Sequence, residues 1–264
     1  MNFNDLYKIK DEIEQIQKTY EIFNEDTRLN RSKAARVEFL TNIKYIEEYL
    51  KDGDRILDIG AGAGEYSFYF ANKGYNVSAI ELTDANIKAF RAKMSKNNNI
   101  DLIQGNAIDL SMYGDNSFDI VLLFGPLYHL HDENDRQKCI SEAKRVCKKD
   151  GMIFFSFICN DMVIITELNY DNNYFSGESY NHDTFKVEDF PFVFFTADSC
   201  RKMLQRGGIK IEHEVASDGF SELMEEKINA LDSESYAQYL KYHFYICEKS
   251  EFFGASNHLL FVGR

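Results

Sequence analysis

Four positions in the stretch "RILDIGAGAG" combine an acid with alternating glycines: Asp58, Gly60, Gly62 and Gly64. Glycine lacks a Cβ and tolerates positive φ, so such a loop lets a ligand approach the backbone closely. The spacing limits what that ligand carries. A pyrophosphate-binding loop has the pattern GxGxxG and sets its phosphates on the following helix N-terminus. Here the third glycine comes one place early, and Glu65 stands where it belongs. Asp58 and Glu65 would both repel a diphosphate and suit a cation. A local role for Asp58 is also open, because its carboxylate can cap the loop by accepting backbone N–H bonds.

A further acid, Glu81, ends the run "NVSAIEL" 21 residues after Gly60. At that distance a carboxylate can accept hydrogen bonds from both hydroxyls of a ribose. The next apolar run leads into "QGNAIDL", where Asn106 is either a turn former or a partner for a base amine. "DIGAGAG" resembles the first motif of the class I S-adenosylmethionine-dependent methyltransferases, an acid, one residue, then GxGxG, and matches it at every position. S-adenosylmethionine carries a sulfonium and an ammonium but no phosphate, which agrees with the acids. "GPLYHL", following "SFDIVLLF", is similar to the post-strand-four motif of a group of bacterial small-molecule methyltransferases. "EAKRVCKKDGMIFFS" resembles the family's helix, turn and fifth strand.

The similarity runs firmly from Arg55 to about Phe157. It implies S-adenosylmethionine as methyl donor and S-adenosylhomocysteine as product. The cofactor-facing positions it implies are Asp58, Gly60, Ala61, Gly62, Glu81, Leu82, Asn106, Ala107, Phe124 and Gly125. Among them Asn106 and the Ala107 N–H would meet the adenine.

Methyl transfer needs an acceptor lone pair held in line with the S–CH3 bond, so positioning and desolvation supply much of the catalysis. A general base helps when the acceptor is a hydroxyl or a protonated amine. His129 is the candidate base because imidazole titrates near neutrality; its other reading is a packing or capping residue. Tyr128 is expected to wall the pocket and to touch the sulfonium through its ring. Nucleobase-amine methyltransferases carry Asn or Asp, Pro, Pro and an aromatic here, whereas this chain has Gly125 and Leu127 at the first and third positions. His131 and Asp132 are adjacent loop residues and do not by themselves make a metal site. Tyr20, Arg28 and Arg36 are candidates to meet the acceptor or the cofactor carboxylate.

The elements that must position these residues follow from periodicity. Leu6, Ile9, Ile13, Ile16, Tyr20 and Phe23 recur at helical spacing, and a second helix is expected from about 32 to 50. From Arg55 short apolar runs alternate with helical stretches, the signature of a parallel sheet built from βαβ units. Strands are expected at 55–59, 76–81, 100–104, 119–124, 151–158, 209–215 and 258–263. Helices are expected at 64–73, 84–95, 134–148, 197–206 and across 219–248, with Lys148, Lys149 and Gly151 closing the third. The resulting expectation is one α/β domain with a Rossmann-like, doubly wound, mostly parallel seven-stranded sheet. Residues 1–50 would form a helical cap outside the fold core, 51–159 the cofactor-binding core, 160–195 an insertion after strand five, and 196–264 the rest of the sheet. The insertion, rich in Tyr and Phe, would cover the site or form a small satellite core.

Thirty Lys and Arg against forty-three Asp and Glu give the chain a net charge of −13, which opposes a nonspecific grip on nucleic acid or on an anionic membrane. Between Asp161 and Asp189 seven acids face one base, Lys186. A neutral or cationic small molecule is therefore the expected acceptor. Five cysteines form no CxxC pair, no signal peptide opens the chain, and no apolar run reaches the roughly 20 residues of a membrane span, so a cytoplasmic location is expected. Rival readings are an NAD-dependent enzyme, a noncatalytic cofactor-binding or regulatory protein, and an RNA or protein methyltransferase.

Overall fold

The structure, a computed structural model, describes residues 3–23, 25–95 and 98–264. Among them eight strands form one sheet: β1 (Arg55–Ile59), β2 (Asn76–Glu81), β3 (Ile100–Gln104), β4 (Phe118–Leu123), β5 (Cys147–Cys159), β6 (Phe194–Phe195), β7 (Ile211–Ala216) and β8 (His258–Gly263). Their order is β3-β2-β1-β4-β5-β8-β7, with the two-residue β6 added beside β5. Pairing is parallel except where β8 runs against β5 and β7. The strand order reverses between β1 and β4, and a crevice opens outside the carboxyl ends of the strands at such a switch point.

The helices are α1 (Phe3–Leu6), α2 (Glu12–Ile22), α3 (Glu25–Arg28), α4 (Lys33–Glu47), α5 (Glu65–Asn72), α6 (Asp84–Lys93), α7 (Glu133–Val146), α8 (Asn160–Thr166), α9 (Ala197–Arg206), α10 (Glu225–Asn229), α11 (Ser233–Ile246) and α12 (Ser250–Phe253). None is long and apolar enough to cross a membrane. Central strands bury both faces, as a helix-covered parallel sheet requires. Successive residues of β1 show it: Leu57 joins a cluster with Val121, Phe155 and Ile140, while Ile56 joins one with Leu122, Phe154 and Ile46 on the other face.

Four expectations change. Helix α4 is not outside the core: Phe39, Ile43 and Ile46 pack with Ile56, Val77 and Phe154, so it covers one face of the sheet. The N-terminal apolar stripe is not one helix, because the Asp11 carboxylate accepts from Glu14 N–H at 2.8 Å and restarts the chain as α2. The helical region 219–248 divides likewise where Asp232 caps Ser235 N–H. Helix α7 stops at Val146, and Lys148 lies in β5 with its ammonium 2.7 Å from Asp119 of β4. The insertion folds largely on itself, with Ile164, Tyr174, Tyr180 and Val187 forming a separate cluster.

The turn from β1 into α5 depends on two glycines for different reasons. Gly64 sits at φ +89°, and a Cβ there would lie 2.5 Å from the Phe90 ring. It lets α5 and α6 approach. Gly62, at φ +56°, faces the crevice, and the contact a Cβ would make is with the Glu25 side chain at 3.0 Å. Gly64→Ala combines backbone strain with a clash against a fully buried ring. It is expected to cost about 2–4 kcal/mol, read as a lower urea midpoint with unchanged slope. An unchanged midpoint would show that the ring can yield.

Candidate functional site

One cavity at the switch point gathers residues from the ends of β1, β2, β3 and β4 and from the N-terminal helices. Fourteen of the residues singled out from the sequence line it: Tyr20, Arg28, Asp58, Gly60, Ala61, Gly62, Glu81, Leu82, Asn106, Ala107, Phe124, Gly125, Tyr128 and His129. Arg36 does not. Its guanidinium is held 2.8 Å from Glu65, is bonded to Asn30 and lies over the Phe39 ring at 3.8 Å, so the expectation that it meets a ligand is corrected.

The glycine loop is pinned to β2, since Gly60 and Ala61 N–H both donate to the Ile80 carbonyl at 2.8 and 3.0 Å. Glu81 organises the adjoining turn. Its Oε1 accepts from the Thr83 N–H and hydroxyl and from the Asn86 amide, while Oε2 accepts from Gly62 N–H at 2.9 Å. Each carboxylate oxygen offers about two lone-pair sites. Oε2 therefore has room for one further donor, where the sequence reading gave Glu81 two ribose hydroxyls.

Asp58 is 1% exposed and accepts from the Ser67 hydroxyl at 2.6 Å, which ties it to the first turn of α5. Burial raises its carboxyl to about 6; the Ser67 bonds oppose the shift and the charge of Glu81 adds to it. The N–H groups of Gly60, Ala61, Gly62 and Gly64 bond to Ile80, Glu81 and Ala61, so the expected capping of the loop by Asp58 is corrected: its bonds go to Ser67. Asn106 accepts the Ile108 N–H at 3.2 Å, the geometry of a turn former, and still lines the cavity. The Ala107 N–H next to it has no acceptor among the described residues.

After β4 the chain makes a tight turn at Pro126–Tyr128 that carries the acceptor-side candidates. Tyr128 is 9% exposed, and its hydroxyl has no hydrogen-bond partner among the described residues. The imidazole of His129 is pushed down to about 3, chiefly by burial and further by His131, so it is neutral at pH 7. Its Nε2 lies 2.8 Å from the Tyr20 hydroxyl. His131 and Asp132 point to other duties: the His131 N–H donates to Glu12, and the Asp132 carboxylate caps α7.

Sequence reasoning missed several lining or closing residues. Gln17 of α2 bridges the far side of β2, donating to the Leu82 carbonyl at 3.1 Å and accepting from Asp84 N–H at 2.9 Å. Glu12 and Glu25 line the cavity. Arg28 joins Glu25, at 2.8 Å, to Glu38, at 2.6 Å. Glu38, Asp218 and His258, far apart in the chain, bring ligand atoms within 4.8 Å of one another. No local pattern announces these residues, because each depends on which turn of a covering helix, or for Asp218 and His258 which end of β7 and β8, faces the crevice.

A family model described as "Methyltransferase domain" matches residues 57–155, the stretch that builds the glycine loop, β2, β3 and β4. The chain contains a class I methyltransferase domain. The chain is 31% identical over 113 residues to YqeM of Bacillus subtilis, a protein named as a methyltransferase, covering 42% of this chain and 45% of that one. It is 34% identical over 102 residues to a demethylmenaquinone methyltransferase of Renibacterium salmoninarum, covering 38% and 40%. Other relatives are named as ribosomal RNA methyltransferases. The matched stretch spans under half the length of the first of these relatives. In fold the whole chain is similar to the PH0226 protein of Pyrococcus horikoshii, with a TM-score of 0.61 at 18% identity, covering 94% of this chain and 98% of that one.

The raised carboxyl of Asp58 has a signed consequence. Its folded value, about 6, exceeds the ordinary 3.8, so its contribution to stability is fully present below pH 3.8 and is lost as pH rises through about 6. Asp58→Asn keeps an acceptor for Ser67 and removes that loss. The variant is expected to be more stable than the parent at pH 7, by roughly 1–3 kcal/mol, with the difference shrinking toward pH 4. Urea unfolding at pH 4, 5, 6 and 7 measures it; a difference independent of pH would refute the assignment.

Proposed function

We propose that the protein is an S-adenosylmethionine-dependent methyltransferase acting on a small molecule by in-line displacement. The observation that carries this reading is the charge of the cavity. Glu12, Glu25, Asp26, Asp58, Glu65, Glu81 and Asp135 line it, with Arg28 the cation among the described lining residues; Glu65 and Asp26 are also paired, from outside the lining, with Arg36 and Lys93. Such a lining disfavours a pyrophosphate or a nucleic-acid backbone, which need cations or free helix N–H groups, and it suits a ligand with a positive centre. It therefore supports S-adenosylmethionine over a dinucleotide and a small molecule over RNA.

The residues present fit the proposed group. The free Ala107 N–H and the Asn106 amide would meet an adenine, the open lone pair of Glu81 Oε2 one ribose hydroxyl, and the backbone at Gly60 to Gly62 the amino-acid part. When bound, S-adenosylmethionine supplies an electrophilic methyl group on a sulfonium. The chain's own contribution is positioning. Tyr128 presents an unpaired hydroxyl to the cavity, and His129, fixed by Tyr20, forms a neutral wall beside it. An imidazole with a conjugate acid near 3 takes up little proton at neutral pH, so orientation and exclusion of water are the roles assigned to His129.

Calorimetry tests the reading. S-adenosylhomocysteine is expected to bind with micromolar or tighter affinity, and NADH is not. Glu81→Gln removes a charge-assisted bond and should weaken that binding by about 10- to 100-fold. Tight NADH binding without S-adenosylhomocysteine binding would overturn the proposal. Cofactor binding with no methyl transfer to any acceptor in a broad screen would favour a noncatalytic role.

A further inference from the structure

Most of the acids lining the cavity at the switch point are already engaged. Asp58 is tied to Ser67, Glu65 to Arg36 and Asp26 to Lys93. Glu12 accepts the His131 N–H, and Glu81 takes four donors. Asp135 stands on the first turn of α7, past the turn at Pro126–Tyr128. Glu25 differs both in where it sits and in what it leaves open.

Glu25 opens α3 and lies against the glycine loop. A Cβ on Gly62 would come 3.0 Å from Glu25 Cγ and 4.0 Å from its carboxyl carbon. The missing Cβ and the φ of +56° are what allow that approach. One carboxylate oxygen, Oε1, accepts from Arg28 Nε at 2.8 Å, while Oε2 has no partner among the described residues. The side chain is only 21% exposed, and a carboxylate oxygen so far withdrawn from water is costly unless something donates to it.

Arg28 holds this carboxylate in place without cancelling its charge, because the guanidinium is shared. Its two terminal nitrogens go to Glu38 at 2.6 and 3.3 Å. Glu38 lies 3.5 Å from His258, which is bonded in turn to Asp218. Burial lowers the His258 ring, but the charges of Glu38 and Asp218 outweigh it and raise the ring to about 9, so it is a cation at neutral pH. The linked set therefore has three carboxylates, Glu25, Glu38 and Asp218, against two cations, Arg28 and His258. One negative charge is left over. Glu25 and Arg28 also line a second cavity, together with Glu38, Asp218 and His258, but of the three carboxylates Glu25 is the one that lines the first.

We infer that Glu25 is the ligand of the α-ammonium of S-adenosylmethionine. This rests on the reading above, which lays the amino-acid part of the donor along Gly60 to Gly62. An ammonium there would meet the open Oε2 and offset the leftover charge, and in a site withdrawn from water that attraction is stronger than at a surface. Glu25 lies outside the matched residues 57–155, so the covering segment selects the amino-acid end of the donor while the sheet loops select its adenosine.

Calorimetry with three ligands tests this: S-adenosylhomocysteine, its analogue without the α-amino group, and 5′-methylthioadenosine, which lacks the amino-acid end. The parent protein is expected to bind S-adenosylhomocysteine about tenfold or more tightly than the deaminated analogue. Glu25→Gln should weaken S-adenosylhomocysteine by about tenfold, bring it within about threefold of the deaminated analogue and leave 5′-methylthioadenosine within about twofold of the parent. If the Gln variant binds none of the three, Glu25→Asp takes its place; its shorter arm should lose about threefold or more of the preference for the amine, again with 5′-methylthioadenosine unchanged. Failure of S-adenosylhomocysteine to bind the parent would sink the S-adenosylmethionine reading itself. Normal binding without preference for the amine, or a preference that survives the substitution, would overturn this inference alone, the second by giving the ammonium to Asp58 or to the loop backbone. Equal weakening of all three ligands would overturn it too, because Glu25 would then merely hold α3 in place.

Discussion

The Arg28 guanidinium ties the functional end of the molecule together. It lies between Glu25, over the glycine loop, and Glu38, on the helix that covers the sheet, and so belongs to both cavities. Carboxylates withdrawn from water repel one another and carry a desolvation cost, and they persist only where cations or donors offset them. Arg28 offsets two of them. The protonated His258 does the same for Asp218 on the far side, while Glu81 is held by four hydrogen-bond donors rather than by a cation.

That arrangement explains why an acidic crevice is compatible with a stable fold. The charges sit at the carboxyl edge of a sheet whose centre is apolar on both faces, so the core does not depend on them. Strands β1, β4 and β5 hold the loops in register, and the loops carry the charge. Helix α2 then closes over the loops through the bond between Tyr20 and His129 and the bridge of Gln17 to Leu82 and Asp84, and α3 is held by Asp26 to Lys93 and by Arg28 to Glu38. The covering segment is thus attached at several separate points by polar contacts, while α4 behind it is bound by an apolar face.

The sheet was legible because strand length and helix length differ in period, and the apolar runs from Arg55 onward keep to one or the other. The glycine loop and Glu81 were legible because their spacing is set by a turn and one crossover. Helix boundaries were less so. The apolar stripe from Leu6 to Phe23 continues through the break that Asp11 imposes, and hydrophobic period alone does not register a cap. The core role of α4 was also hidden, since an amphipathic helix reads the same whether its partner is a sheet or another helix.

By itself the sequence determined the parallel sheet, the phosphate-free character of the glycine loop and the acids flanking it. These follow from local spacing and from the chemistry of the residues concerned. Only the tertiary structure decided that Arg36 is taken up by Glu65, that His129 is buried and neutral, and that Glu38, Asp218 and His258 meet. Those outcomes depend on burial and on contacts between residues as much as 220 positions apart, from Glu38 to His258. The type of a side chain limits what it can do, and its surroundings set the charge it carries and the partner it finds.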